Sequence, residues 1–152
     1  MKRNTLNFVA LLITILMMGA CGNNAWDDLP SPIVKLVSEY FPFGEVSSYV
    51  ENDNGSVVKI RNGAELTFDK EYMWIKVDGR GSTLPVQFIY DQLPKELYDY
   101  LEAIENVDSI YCVSRTGDVI KVELLDSNVE YDGATGTITY PTTEALQDVL
   151  RL

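Results

Sequence analysis

The 152-residue sequence contains no histidine and no apolar run that is long enough to cross a bilayer, and it has only two cysteines. Without histidine, a Ser-His-Asp triad, a Cys-His pair and histidine-ligated metal sites are excluded. No glycine-rich phosphate loop or Gly-x-Ser-x-Gly elbow occurs, and the acidic turn around Asp53 lacks the spacing of an EF-hand. We therefore expect that the protein binds no metal or cofactor and is not an enzyme. A hydrolase using paired carboxylates is the least favoured alternative, because Glu65 and Asp69 are interpreted as part of a solvated strand face.

Positive charge is also scarce, with 12 basic residues against 23 acidic ones. Residues 1–20 contain two of the basic residues, Lys2 and Arg3, and no acidic residue. The chain from Cys21 onward therefore has 10 basic and 23 acidic residues, a net charge of −13. Such a chain is repelled by phosphate backbones, which excludes nucleic acid as an expected partner. The same charge opposes adsorption to anionic lipid, so we expect membrane contact through a lipid anchor only.

Residues 1–20 have the pattern of a secretory signal. Lys2 and Arg3 precede eleven apolar residues, Phe8 to Met18, a run too short for a hydrocarbon core of ~30 Å. Met18-Gly19-Ala20-Cys21 resembles a bacterial lipobox, which implies cleavage before Cys21 and acylation of its thiol. Residues 21–28 then form a tether, and Gly22 favours sorting to the outer membrane, with the protein facing the periplasm or the surface. The alternative is an ordinary signal peptide with a chance cysteine.

Cys112 is the thiol that remains once Cys21 is acylated. It alternates with Tyr111 and Val113 in a segment predicted to be a strand. An unpaired cysteine in an oxidising compartment is safest when buried. We therefore interpret Cys112 as a small core residue and not as a nucleophile.

The rest of the chain is predicted to contain two similar units, residues 29–78 and 93–140. Each opens with Leu-Pro and an amphipathic helix and continues with about four strands separated by turns. Val57–Ile60 matches Val119–Val122 at an offset of 62, and Glu65–Asp69 matches Asn128–Asp132 at an offset of 63. Residues 79–92 are predicted to be a linker docked on the sheet, with Val86, Phe88 and Ile89 packed. Residues 141–152 are predicted to form a C-terminal helix or tail.

These residues resemble the PepSY-like, β-lactamase-inhibitor-like domains of bacterial secreted proteins and lipoproteins. The first unit carries the resemblance in Leu29-Pro30, Tyr40-Phe41-Pro42, Asn62-Gly63, Phe68-Asp69 and Trp74–Asp78, and the second keeps Leu93-Pro94 and Tyr131-Asp132. The second unit lacks the Phe-Pro element and the Asn-Gly turn. The implied fold is α+β, with tandem helix-plus-antiparallel-meander units and helices on one sheet face.

The resemblance implies an extracytoplasmic binding module that inhibits or modulates a secreted or envelope protein. The alternative is a passive structural or assembly subunit of the envelope. Because Leu66 and Phe68 are expected to face the helix, the alternate positions define an open sheet face. An exposed tryptophan there is typical of an interface centre, although Trp74 could also lie half-buried against its neighbours. The candidate interface comprises Glu65, Thr67, Tyr72, Trp74, Lys76, Lys121, Glu123 and Glu130.

Replacing Cys21 tests the anchor. We expect Cys21→Ser to move the protein from the membrane to the soluble fraction and to abolish incorporation of labelled fatty acid, because the acylated atom is lost. Cys112→Ser is the matched control and should change neither property. Membrane retention of the Cys21→Ser chain would contradict the lipobox interpretation.

Overall fold

The computed structural model describes residues 25–140. The signal segment, Cys21 and the predicted C-terminal helix therefore lie outside the described residues. Within this range the chain forms three α-helices, one 3-10 turn and eight strands. The bounds are α1 Ser31–Tyr40, β1 Val46–Asn52, β2 Gly55–Ile60, β3 Glu65–Phe68, β4 Trp74–Asp78, α2 Val86–Gln92, α3 Lys95–Ala103, the 3-10 turn Val107–Ser109, β5 Ile110–Thr116, β6 Val119–Leu124, β7 Asn128–Asp132 and β8 Thr137–Thr139.

The eight strands form one antiparallel sheet in the order β1 to β8, so each strand pairs with its neighbour in sequence. The two halves meet where β4 pairs with β5, with Val77 opposite Val113. Two such halves could either join their sheets edge to edge or pack one sheet against the other. In this chain the edge strands β4 and β5 pair, so the two halves form one continuous sheet. The predicted α+β class with an antiparallel meander is confirmed.

Both amphipathic helices begin directly after Leu-Pro. In α1 the buried residues Ile33, Val37 and Tyr40 recur at helical spacing, and in α3 Leu97 and Leu101 do so. The sequence Ser31-Pro32 is typical of a capping residue followed by the first helical residue, but Ser31 does not cap α1. The capping position is Pro30, and Pro94 occupies the same position before α3. In both cases an extended proline leads straight into the helix, and no side chain accepts a cap hydrogen bond.

The turns explain two of the sequence signals. Asp53 and Asn54 connect β1 to β2 as predicted, and Gly55 follows at φ 143°. A Cβ atom on Gly55 would lie 2.0 Å from the carbonyl oxygen of Phe68, so the site requires glycine. Asn62 adopts the left-handed conformation with φ 53° in a four-residue connection between β2 and β3.

The core lies between the three helices and one face of the sheet. A single buried row crosses six strands, because its members are successive cross-strand partners and all are fully buried. We call it the central row: Val58, Leu66, Val77, Val113, Val122 and Val129. Leu66 and Phe68 face this core, as the alternation predicts.

The segment predicted to be a docked linker contains helix α2. Phe88 and Ile89 are fully buried, as expected, whereas Val86 at the first position of the helix is 45% exposed and does not pack as predicted. The ring of Phe88 lies edge-on to Tyr40, at 5.4 Å between centroids, and to Trp74, at 5.5 Å. Phe88 thus joins α1, α2 and β4.

Truncating Phe88 tests this junction. We expect Phe88→Ala to lower the free energy of unfolding by about 3–5 kcal/mol, because it removes a fully buried ring and leaves a cavity. Val86→Ala on the same helix is the control and should change stability by about 0.5 kcal/mol or less. Urea unfolding measures both, and equal small effects would contradict a docked α2.

Candidate binding surface on the open sheet face

The sheet face turned away from the helices carries two cross-strand rows. The register aligns Lys59, Glu65, Asp78, Cys112, Glu123 and Asn128 in what we call the cysteine row. It aligns Val57, Thr67, Lys76, Ser114, Lys121, Glu130 and Thr139 in the lysine row. Six of the eight candidate residues, Glu65, Thr67, Lys76, Lys121, Glu123 and Glu130, therefore lie together.

Ion pairs tie these side chains to one another. Lys76 Nζ lies 3.2 Å from Asp78, and Lys121 Nζ lies 3.2 Å from Glu123, so each pair links the two rows. Glu65 accepts from Lys59 at 3.4 Å and from Arg80 at 3.2 Å. These pairs are solvent-accessible and each contributes about 1 kcal/mol or less to stability. Their effect is to hold charged groups in defined positions on the face.

The Lys76–Asp78 pair also shifts the protonation of its members. The hydrogen bond to Asp78 raises the pKa of Lys76 above its usual value. Burial opposes ionisation of Asp78, but the Arg80 amide and Lys76 outweigh it and lower the pKa of this carboxyl. Both groups are therefore charged at neutral pH, and the face keeps its pattern of alternating sign.

Cys112 lies on this same face but is only 4% exposed. Its neighbours in the register are Asp78 and Glu123. Burial, aided by the charge of Glu123, raises the pKa of the Cys112 thiol to about 11. The prediction of a buried, unreactive cysteine agrees with this position, although the thiol faces away from the helices.

Trp74 and Tyr72 do not lie on the open face, and their prediction as open-face residues is wrong. Strict alternation along 73–77 would bury Met73 and Ile75 and expose Trp74. A bulge between β3 and β4 interrupts the alternation, because Thr67 pairs with Lys76 while Phe68 pairs with Trp74. Trp74 is consequently 3% exposed, whereas Met73 is 56% exposed.

Trp74 instead belongs to the junction with the helices. Its Nε1 donates to Oε1 of Gln92 at 3.0 Å, and Nε2 of Gln92 donates to the Tyr40 hydroxyl at 3.0 Å. The guanidinium of Arg115, on the neighbouring strand β5, lies 4.4 Å from the centre of the Trp74 ring. The indole therefore has satisfied polar and aromatic contacts and holds the fold together.

Tyr72 lies in the β3–β4 turn on the helix side. Its φ is 61°, and its hydroxyl donates to Glu51 at 3.4 Å. Asp69 shapes the same turn, because its carboxylate accepts from the amides of Glu71 and Met73 at 3.0 and 2.8 Å. Asp69 is therefore a turn residue and not part of a solvated strand face.

Sequence reasoning missed several residues of this surface. Lys59, Asp78 and Arg80 belong to it through their ion pairs, and Ile75 lines a depression there together with Val57 and Thr67. The cross-strand register would have found Lys59 and Asp78, because each is the direct partner of Glu65. Ile75 could not be found from alternation, because the bulge places it.

Among residues 25–140, no group of three or more acidic, histidine or cysteine side chains converges to hold a metal ion. In the same range, no helix is sufficiently long and apolar to cross a membrane.

Comparison with known proteins identifies the family. The family described as "Putative beta-lactamase-inhibitor-like, PepSY-like" matches residues 25–73 and again residues 54–134. The chain belongs to the PepSY-like family. No curated protein sequence matches this PepSY-like chain.

Solved structures share its fold. Two proteins from Bacteroides vulgatus are 20% and 19% identical, with TM-scores of 0.61 and 0.59. The first is described as a "putative periplasmic protein" of the DUF2874 family; the alignment covers 77% of this chain and 93% of that chain. The second is described as periplasmic and of unknown function, with coverage of 76% and 94%. A Bacteroides thetaiotaomicron protein described as a "putative calcium-regulated periplasmic protein" is 18% identical, with a TM-score of 0.62 and coverage of 77% and 93%.

The Cys112 thiol should make stability depend on pH. Its folded pKa of about 11 exceeds the value of about 8.5 expected for an unfolded thiol. Below the lower of these two pKa values the thiol is protonated in both the folded and the unfolded chain, and its contribution to the free energy of unfolding is fully present. Above it the unfolded chain loses the proton first, so stability falls by up to about 1.4 kcal/mol per pH unit until the folded thiol ionises.

We expect urea unfolding between pH 8 and 10.5 to show this loss in a Cys21→Ser chain and not in the same chain carrying Cys112→Ala. Tyrosine and lysine titrate in both chains, so their difference isolates the thiol. Parallel pH profiles would contradict a protonated, buried Cys112.

Proposed function

We propose that this PepSY-like protein is an extracytoplasmic binding module, held on the bacterial envelope by a lipid on Cys21, and that its open sheet face binds a protein partner. The observation that carries the proposal is the distribution of positive charge. Four of the twelve basic residues of a strongly acidic chain, Lys59, Lys76, Arg80 and Lys121, meet on this face.

The arrangement suits recognition of a mixed-charge surface. Each cation lies within 3.4 Å of a carboxylate on the same face, so charges of both signs are positioned before a partner arrives. Such patterns fix the register of a complex and exclude partners with like charges in the wrong places. Val57 and Ile75 add partly exposed apolar area between the charges.

Binding fits the surface better than catalysis does. The chain has no histidine, and in residues 25–140 the Cys112 thiol is buried and protonated. Glu65, Asp78 and Glu123 of the open face are ion-paired, and the pKa of Asp78 is lowered, so this carboxyl is a poor general acid. These features favour a non-enzymatic role, in which occupying a partner's surface would inhibit or otherwise modulate it, as the family description suggests.

The sequence signals and the relatives support the proposed location. The lipobox pattern and the residue after Cys21 support attachment to the outer membrane. The described periplasmic relatives are consistent with a compartment outside the cytoplasm. The match of the family description to two overlapping parts of the chain supports the predicted tandem units.

A second candidate is an assembly subunit of the envelope. It is favoured by edge strand β1, whose seven residues include no lysine, arginine or proline and whose Val50 is 55% exposed. Such an edge can pair with another strand. Within residues 25–140, the open face also lacks a strongly exposed aromatic side chain of the kind expected at an interface centre.

Neutralising two lysines tests the proposed face. The mature chain with Cys21→Ser is used to capture proteins from an envelope extract of the source cells, alongside the same chain with Lys76→Gln and Lys121→Gln. We expect a partner to be retained by the first and lost by the second, because both central cations of the lysine row are removed.

The control carries Lys35→Gln and Lys70→Gln, two exposed lysines elsewhere with the same change in net charge. It should retain the partner. Equal capture by all three chains would place the interface elsewhere and contradict the proposal. Capture of the chain's own copies would favour the assembly role.

A further inference from the structure

The helical layer, on the opposite side of the sheet, carries an exposed pair of aromatic side chains. Tyr90 of α2 is 60% exposed, and its ring lies edge-on to that of Tyr98 of α3 at 5.1 Å between centroids. Val86, one helical turn before Tyr90, is 45% exposed. We call the surface formed by Val86, Tyr90, Tyr98 and Glu102 the tyrosine surface.

Two depressions flank these side chains and share Tyr98 and Glu102. One, of about 360 Å³, is lined by Val86, Val107 and the acids that follow α3. The other, of about 480 Å³, is lined by Tyr90, Leu93 and the first turns of α3. Each depression thus combines apolar or aromatic side chains with charged ones. The apolar and aromatic groups can bury a partner's side chains.

The rim of the tyrosine surface is strongly acidic. Residues 86–109 contain six acids and one base, Lys95, which pairs with Asp99 on its own helix. No ion pair within the described part of the chain neutralises Glu102, Glu105 or Asp108. The acids of this segment are Asp91, Glu96, Asp99, Glu102, Glu105 and Asp108.

We infer that the tyrosine surface is a second docking site, for a basic segment of a polypeptide with apolar residues between its cations. Arginine or lysine side chains can lie over the faces of Tyr90 and Tyr98 while the rim carboxylates balance their charge. The apolar residues of the segment fill the two depressions.

Other occupants fit less well. An anionic membrane is repelled by the rim. A bare divalent cation needs several oxygen ligands at one point, and no such convergence of acids occurs among residues 25–140. The open sheet face is charge-balanced and lies on the far side of the core, so this site is independent of the proposed function.

The test uses the full mature chain with Cys21→Ser and a synthetic peptide rich in arginine and leucine. Isothermal titration gives the affinity, and backbone amide shifts locate the contact. We expect shifts within residues 86–108 and no binding of the same peptide with glutamate in place of arginine. Tyr90→Ala and, separately, Glu102→Gln with Glu105→Gln should each weaken binding by about tenfold.

The control replaces two exposed acids elsewhere, Asp53→Asn and Glu71→Gln, and changes net charge by the same amount. It should bind within about twofold of the parent, given the screening of distant charges. Equal weakening by the control would show diffuse attraction to an acidic protein and overturn the site. Absence of binding, shifts outside α2 and α3, or stronger perturbation of the same amides by calcium chloride would also overturn it.

Discussion

The central row of fully buried side chains, from Val58 on β2 to Val129 on β7, is the constraint on which the rest of the structure depends. It crosses the contact between the halves without interruption, because Val77 faces Val113. A slip of one residue in any strand would turn its core side chains toward solvent, so burial of this row fixes the register throughout. The open-face rows lie one residue to either side, and their alignment follows from the same constraint.

Bulges decide which side chains depart from that alternation. In β4 the bulge at Ile75 turns Trp74 toward the helices, where it meets Phe88 and the amide of Gln92. This one additional residue thus places the Trp74 side chain in the buried core instead of on the open sheet face. The first strand of each half has its own register shift after its first residue, Val46 in β1 and Ile110 in β5. This shared irregularity favours the predicted internal repeat.

Much of the fold could be predicted from the sequence, because its signals are local. Apolar spacing located α1 and α3, and alternation at Leu66 and Phe68 identified the core face. Two features depend on long-range contacts and were not predictable in this way. Whether residues 86–92 form a helix is decided by burial of Phe88 and Ile89 against the core. The position of Trp74 is decided by how β4 pairs with β3, and the alternation of side chains along a single strand carries no information about that pairing.

The same distinction applies to the candidate surface. Glu65, Lys76 and the charged residues of β6 and β7 lie on the open face as alternation predicted, since an apolar neighbour such as Leu66 sets the side, whereas Asp69 lies in a turn. The aromatic residues were assigned to the wrong face, because Tyr72 lies in a turn and Trp74 lies beside the bulge in β4. Partners such as Lys59 and Arg80 are visible only when the strands are aligned. The tyrosine surface requires two helices to be adjacent, and no spacing within either helix indicates it.

The two sides of the protein differ in charge, and this difference has a consequence for an anchored chain. If Cys21 is acylated as proposed, the fold would stay close to the lipid, because the seven residues 22–28 can span at most about 25 Å. Residues 86–109, which include helices α2 and α3, contain six acids and one base, whereas each of the four cations of the open face is paired with a carboxylate there. Repulsion from anionic head groups acts over about one Debye length, roughly 8 Å. The acidic helical layer would then turn away from an anionic membrane, which leaves the tyrosine surface accessible to a basic partner in the surrounding compartment.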